Sequence, residues 1–278
     1  MFVKRFSIHL RSGCNIVNMN DTAAIILKDL QIGYTHNRKK KPIMGAIDAT
    51  LHNGEVVALI GKNGAGKSTL MRTLSAFQEP LDGEIIYPDG KNIQRKPSDL
   101  CTMLAVVLTD NNNISNMTVR DVVALGRTPY NSFLGHNRKR DQDIIEKCIE
   151  QMGIGNLAHR DISTLSDGER QKTMIAKALA QETPVILLDE PTAFLDYKSR
   201  VQLFQELKRL AVEEQKAIIL STHDLELTLQ IADKIWLIND KRLHTGSISK
   251  LSDNGILSKF IDDEGIHYNK TTRRIEIL

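Results

Sequence analysis

No apolar stretch in the 278 residues approaches the ~18 consecutive positions that a membrane-spanning helix requires. Any link to a membrane must therefore run through a partner. Cysteine is scarce: Cys14, Cys101 and Cys148 are widely spaced, form no CxxC pair and cannot all pair. They read as reduced, buried or incidental thiols in a cytoplasmic compartment. Charge of one sign is also lacking, because the formal net charge of +3 is too small to argue for nucleic acid. The basic segment 1–18 carries only scattered apolar residues and no small-residue cleavage site, so it does not read as a secretory signal. Residues 1–22 are expected to form a poorly ordered extension, and Met19 is a second candidate start. There is no internal repeat and no low-complexity segment.

What is present is ordinary globular material, 41% hydrophobic and 26% charged, enough for one large or two small domains with a sizeable core. Strand signals come first: Ala24–Leu30, then Ala46–Leu51, Val56–Ile60 and Gly83–Tyr87. His36–Pro42, with its Arg38–Lys41 run, reads as a solvated hairpin tip rather than a nucleic-acid patch. From about 111 to 182 helical periodicity takes over. Thr118–Gly126 has a plausible N-cap, Asp141–Met152 is amphipathic, and Arg170–Ala180 follows the turn Leu165–Glu169. Strand and helix then alternate through Val185–Leu188, Tyr197–Glu214, Ala217–Ser221, Leu225–Ala232 and Lys234–Asn239. The reading is an α/β core into which a helical segment is inserted.

The stretch Gly61-Lys62-Asn63-Gly64-Ala65-Gly66-Lys67-Ser68-Thr69 fits G-x-x-x-x-G-K-[ST] completely. It follows an apolar β-branched run and precedes a helical pattern, the context that makes this spacing a phosphate site. Gly61, Gly64 and Gly66 allow turns that side chains forbid. Loop amides then face inward, and the helix start favours an anion. Lys67 reaches the outer phosphates and the Ser68 hydroxyl can ligate Mg²⁺. Farther on, the apolar run Val185–Leu188 ends in Asp189-Glu190. A buried strand ending this way delivers both carboxylates to the carboxyl edge of a parallel sheet, where α/β folds hold ligands. Asp189 would hold Mg²⁺, and Glu190 would orient a water toward the terminal phosphate.

From about Ile25 to Gly246 the chain resembles the ATP-binding cassette (ABC) ATPases. Leu165-Ser166-Asp167-Gly168-Glu169 is similar to the family signature L-S-G-G-Q with two changes, although Ser166 with Glu169 also matches an ordinary capping box. The resemblance implies a P-loop NTPase core of RecA-like type, with an antiparallel β subdomain and an inserted α-helical subdomain at about 111–182, all within 23–278. It implies that the signature turn faces ATP held by a second copy. Tyr34 stands where the family stacks an aromatic ring on adenine. Asp196, in Ala193–Asp196, resembles the segment that touches the opposite subunit. His223 resembles the histidine that contacts the γ-phosphate, though a lone histidine in a turn is more often structural. The family's glutamine at the end of the strand entering the helical segment is missing; Thr109 takes that slot, with Asp110 beside it, and Thr109 would be a weak Mg²⁺ ligand.

Thr118–Tyr130 and Pro191–Asp196 resemble segments of the ATPases of iron-chelate and cobalamin importers. The implied function is ATP hydrolysis that energises uptake of a siderophore, haem or cobalamin. The implied assembly is a homodimer docked on two integral-membrane permease subunits at the cytoplasmic face of the inner membrane, served indirectly by a periplasmic solute-binding protein, with no nucleic acid. The alternative within the family is a soluble ATPase of a non-transport assembly such as cluster assembly. The repair ATPases are set aside because no heptad run is present.

Overall fold

The computed structural model describes residues 23–37, 39–90, 97–108, 114–130 and 139–277. The expected extension at 1–22 and the Thr109–Asp110 slot lie outside these residues. In chain order the elements are β1 (Ala23–His36), β2 (Lys39–His52), β3 (Val56–Gly61), α1 (Lys67–Leu74), β4 (Asp82–Ile86), α2 (Pro97–Leu100) and β5 (Leu104–Val107). Then come α3 (Val119–Ala124), α4 (Lys139–Gln151), α5 (Asp167–Ala180), β6 (Val185–Leu188), α6 (Tyr197–Glu214), β7 (Ala217–Ser221) and α7 (Leu225–Ile231). The chain closes with β8 (Lys234–Asn239), β9 (Arg242–Gly246), α8 (Ile248–Asp253), α9 (Ile256–Ile261), β10 (Ile266–Asn269) and β11 (Arg274–Ile277).

The short apolar runs become the central sheet, ordered β5-β6-β7-β3-β8-β9. Every pairing from β5 to β8 is parallel, and only β9 runs antiparallel at the edge. Parallel strands covered on both faces need continuous apolar sequence, and β3, β6 and β7 are buried at every position. Each such Val, Leu or Ile contributes about 1.5–3 kcal/mol of burial before entropy is subtracted. One face of the sheet packs on α1 and on a second, antiparallel sheet ordered β2-β1-β4, through Leu27, Leu30, Leu59, Leu70 and Met71. The other face packs on helices, through Ile175, Ile186, Phe204 and Ile218. Every regular element described between β5 and β6 is helical.

The basic run lies at the end of the β1–β2 hairpin with its lysines exposed, as the sequence suggested, and strand pairing continues almost to the turn: His36 pairs with Lys39, Thr35 with Lys40, Tyr34 with Lys41 and Gly33 with Pro42. The turn closes at Asn37, whose φ of 48° is one that asparagine tolerates. Lysines suit such an edge strand, and Lys39, Lys40 and Lys41 stay exposed along it. The first helix of the inserted segment ends at Ala124 and gives way to a 3₁₀ turn at Leu125–Tyr130 that contains Pro129, a residue that cannot continue an α-helix.

Candidate functional site

β3 delivers the chain to Gly61 and α1 begins at Lys67, so the glycine loop is pinned between a buried strand and a helix start. Gly64 and Gly66 have φ of 76° and 113°, in the left-handed region that suits glycine. A Cβ placed on Gly66 would lie 2.9 Å from Ile43 Cγ2, so β2 closes against the loop. No side chain caps α1 and no acidic residue lies in its first turn, which leaves its N-terminus suited to an anion. Lys67 folds back along the loop, and its Nζ donates to the carbonyls of Gly61 at 2.8 Å and Lys62 at 3.4 Å. Burial pushes the Lys67 ammonium below its usual value, while the nearby charges of Glu190 and Asp189 oppose that shift. Ser68 is exposed on the first turn of α1. Thr69 is buried, and its Oγ1 lies 3.1 Å from the hydroxyl of Tyr34.

The two carboxylates emerge side by side at the end of β6. Leu188 pairs with Leu220, which brings Asp189 alongside Ser221. Ser221 Oγ donates to Asp189 Oδ1 at 2.5 Å and accepts from the Glu190 amide at 2.8 Å. Asp189 is 4% exposed, and its amide donates to Val107 of β5 at 2.8 Å. Glu190 has φ of 48°, an uncommon conformation for a side chain of that size. Its Oε1 lies 2.9 Å from His223 Nε2. Asp224 caps α7 by accepting from the Leu227 amide and also accepts from Arg200 Nη1 at 2.8 Å. Together Glu190, Thr192, Ala193, Arg200, Thr222 and His223 line an open cleft. Ser221 was not among the expected site residues; the available signal was a hydroxyl ending an otherwise apolar strand at the ligand edge of the sheet.

The signature turn lies elsewhere on the same chain. Ser166 caps α5 with the reciprocal box: Glu169 N–H donates to Ser166 Oγ at 3.4 Å, and Ser166 N–H donates to Glu169 Oε2 at 2.9 Å. The Ser166 hydroxyl also donates to Glu169 Oε2 at 2.8 Å. Both hydrogen bonds hold the Glu169 carboxyl below the ordinary carboxylate range. Asp167 turns toward Arg170, 3.7 Å away, and Leu165 is buried beneath the turn. A Cβ on Gly168 would sit 3.0 Å from the Phe194 carbonyl, so the turn abuts the segment leading to Asp196. Asp196 caps α6 by accepting from the Ser199 amide at 2.7 Å, which lowers its pKa. Ser166, Gly168, Lys172, Phe194 and Asp196 line a second cleft, and Leu195 borders both.

One half of the expected site is thus assembled around Lys67, and the other half opens from a separate cleft. Ser68 and Asp189 offer hard oxygen donors of the kind Mg²⁺ takes. Among the described residues no group of three or more His, Cys, Asp or Glu could cage an ion alone.

The ABC transporter family model matches residues 44–193, a span holding the loop, the signature turn and both carboxylates. The chain is 40% identical over 252 residues to an uncharacterized ABC transporter ATP-binding protein of Methanocaldococcus jannaschii, covering 90% of this chain and 85% of that one. It is 35% identical to the achromobactin transport ATP-binding protein of Dickeya dadantii, over 78% of this chain and 80% of that protein. Its fold is that of a dimeric bacterial ABC transporter cassette, with a TM-score of 0.72 at 24% identity over 81% of this chain and 98% of the other. The chain belongs to the ABC transporter family, and it is an ATPase of that family.

Proposed function

We propose that two copies of this chain close on two ATP molecules and that the cycle of closing and reopening drives uptake of an iron chelate or cobalamin. Each ATP lies on one copy's loop, Gly61 to Thr69, against the Ser166–Gly168 turn of the other copy. The observation that carries this reading is the hydrogen-bonded set of Ser221, Asp189, Glu190 and His223, close enough to Lys67 for both carboxylates to act on its charge.

Lys67 neutralises charge on the outer phosphates, and the amides at the start of α1 hold the chain of phosphates in place. Mg²⁺, held by Ser68 and Asp189, would supply further charge neutralisation at the phosphate oxygens. Glu190 accepts a hydrogen bond from the attacking water and polarises it toward the γ-phosphate. His223 holds the Glu190 carboxylate in place and contacts the same phosphate. Ser166 and Gly168 of the second copy complete the site, which accounts for their separate cleft in one chain. Asp196 lies beside that cleft and touches the opposite copy. Tyr34 carries the adenine.

The relative from Dickeya dadantii, an achromobactin transport protein, supports a chelate as the transported molecule, as does the likeness of Thr118–Tyr130 to chelate and cobalamin importers. No helix among the described residues is long and apolar enough to cross a membrane. Transport on this reading takes place through two permease subunits, with the ATPase pair on their cytoplasmic face and a periplasmic solute-binding protein delivering the substrate.

Glu190→Gln tests the reading. The variant should bind ATP normally, lose at least a hundredfold in turnover and accumulate as an ATP-bound dimer in size-exclusion chromatography. A variant that turns over ATP like the parent removes Glu190 from this role.

A further inference from the structure

The lysine run at the end of the β1–β2 hairpin lies in register with Tyr34. Tyr34 pairs directly with Lys41 across the β1–β2 ladder, and His36 with Lys39. Directly paired residues carry their side chains on the same face, with Cβ atoms about 4.5–5.5 Å apart. The direction of that face is set by three contacts. Tyr34's hydroxyl lies 3.1 Å from Thr69 Oγ1 on α1. A Cβ on Gly66 would lie 3.9 Å from Ile32 Cδ1 and 2.9 Å from Ile43 Cγ2. Ile32 precedes Tyr34 by one strand period, and Ile43 follows Lys41 at the register shift in the ladder. This face therefore looks onto the glycine loop. Lys40, one residue on, turns the opposite way: its Nζ donates to the Leu81 carbonyl at 2.6 Å. Lys39 and Lys41 are exposed.

We infer that Lys41 is a further ATP-binding residue, whose ammonium takes the α-phosphate. The inference rests on the reading of Gly61–Thr69 as the phosphate cradle and Tyr34 as the adenine platform. With the base on the Tyr34 ring and the outer phosphates on the loop, the α-phosphate lies between the two. Lys41 stands directly across the ladder from Tyr34 on the same face, and its flexible four-carbon stem can bring a compact charge to that gap. Lys39 stands one rung farther from the loop and adds only long-range attraction. The contact to the α-phosphate is the same in substrate and transition state, so it supports binding rather than turnover.

The test compares parent, Lys41→Gln, Lys41→Arg and Lys40→Gln, measuring the Kd of a fluorescent ATP analogue and steady-state turnover on the full chain. Lys41→Gln should weaken binding and raise KM about five- to tenfold, with kcat within about twofold. Lys41→Arg should recover most of that loss, and Lys40→Gln should match the parent. The parent's affinity should also fall more steeply with salt than that of Lys41→Gln. Unchanged affinity in Lys41→Gln, beside a parent that binds ATP, overturns the Lys41 contact alone. An equal loss in Lys40→Gln also overturns it, because net charge would then be the cause. A parent chain that binds no ATP overturns the cradle reading and this one together. Thermal unfolding at the parent's Tm checks that each variant is folded.

Discussion

At the end of β7 a single hydroxyl serves both carboxylate-bearing residues: Ser221 donates to Asp189 and accepts from the Glu190 amide. Ser221 is fully buried, so Ser221→Ala takes one hydrogen-bond partner from the buried Asp189 carboxylate and one from the half-buried Glu190 amide. Such losses cost about 1–3 kcal/mol. The variant should unfold a few degrees earlier and lose more than tenfold in kcat, with the KM for ATP nearly unchanged. Steady-state ATPase assays with a thermal melt would read both effects, and an unchanged kcat would remove Ser221 from the site. In the sequence this serine showed only as a hydroxyl ending an apolar strand. Its role becomes plain once the β6–β7 register sets it beside Asp189. Asp189 and Glu190, by contrast, were legible as two acids ending an apolar run.

The start of α5 carries two meanings at once. Sequence offered Ser166–Glu169 as either an ordinary helix cap or a signature turn, and the capping box is formed within the chain. The carboxylate of Glu169 sits on the hydroxyl that the proposed function assigns to ATP of a second copy. Because Ser166 donates to it twice, Glu169 has a lowered pKa. That contribution to folding is complete above the ordinary carboxylate value and is lost as pH falls through the lowered one. Glu169→Gln retains an oxygen that accepts from Ser166 but removes a negative charge from a helix start. It should lower the KM for ATP about twofold at low ionic strength, where charge at a helix end is least screened. A raised KM in that titration would show that the Glu169 charge assists the site. The β1–β2 hairpin is a second case at this scale. Its lysines read as a solvated hairpin tip, and pairing with β1 carries the strands almost to the turn.

Across the whole molecule the sheet divides two kinds of packing, helices on one face and α1 with the second sheet on the other. Cys148 belongs to the helical side, where burial pushes its thiol up to about 12. Thiolate is the reactive form, so iodoacetamide at neutral pH should leave Cys148 unmodified in the folded chain and label it after unfolding. Peptide mass mapping distinguishes these states. Labelling of folded protein at the rate of an exposed thiol would mean that the helical core opens readily.

The α/β class, the glycine loop, the paired acids and the family were determined by the sequence alone. Each depends on short-range spacing: a strand, a turn and a helix start lie within a few residues, and apolar runs mark buried strands wherever they occur. Tertiary structure decided the rest. The strand order β5-β6-β7-β3-β8 joins segments distant in the chain, and it alone brings Ser221 to Asp189 and both carboxylates toward Lys67. The β1–β2 register alone puts Lys41 on the face of Tyr34, while Lys40 reaches the Leu81 carbonyl from the other. Side-chain direction in a sheet follows pairing, and pairing is settled by burial of the whole core rather than by the residues that carry the chemistry.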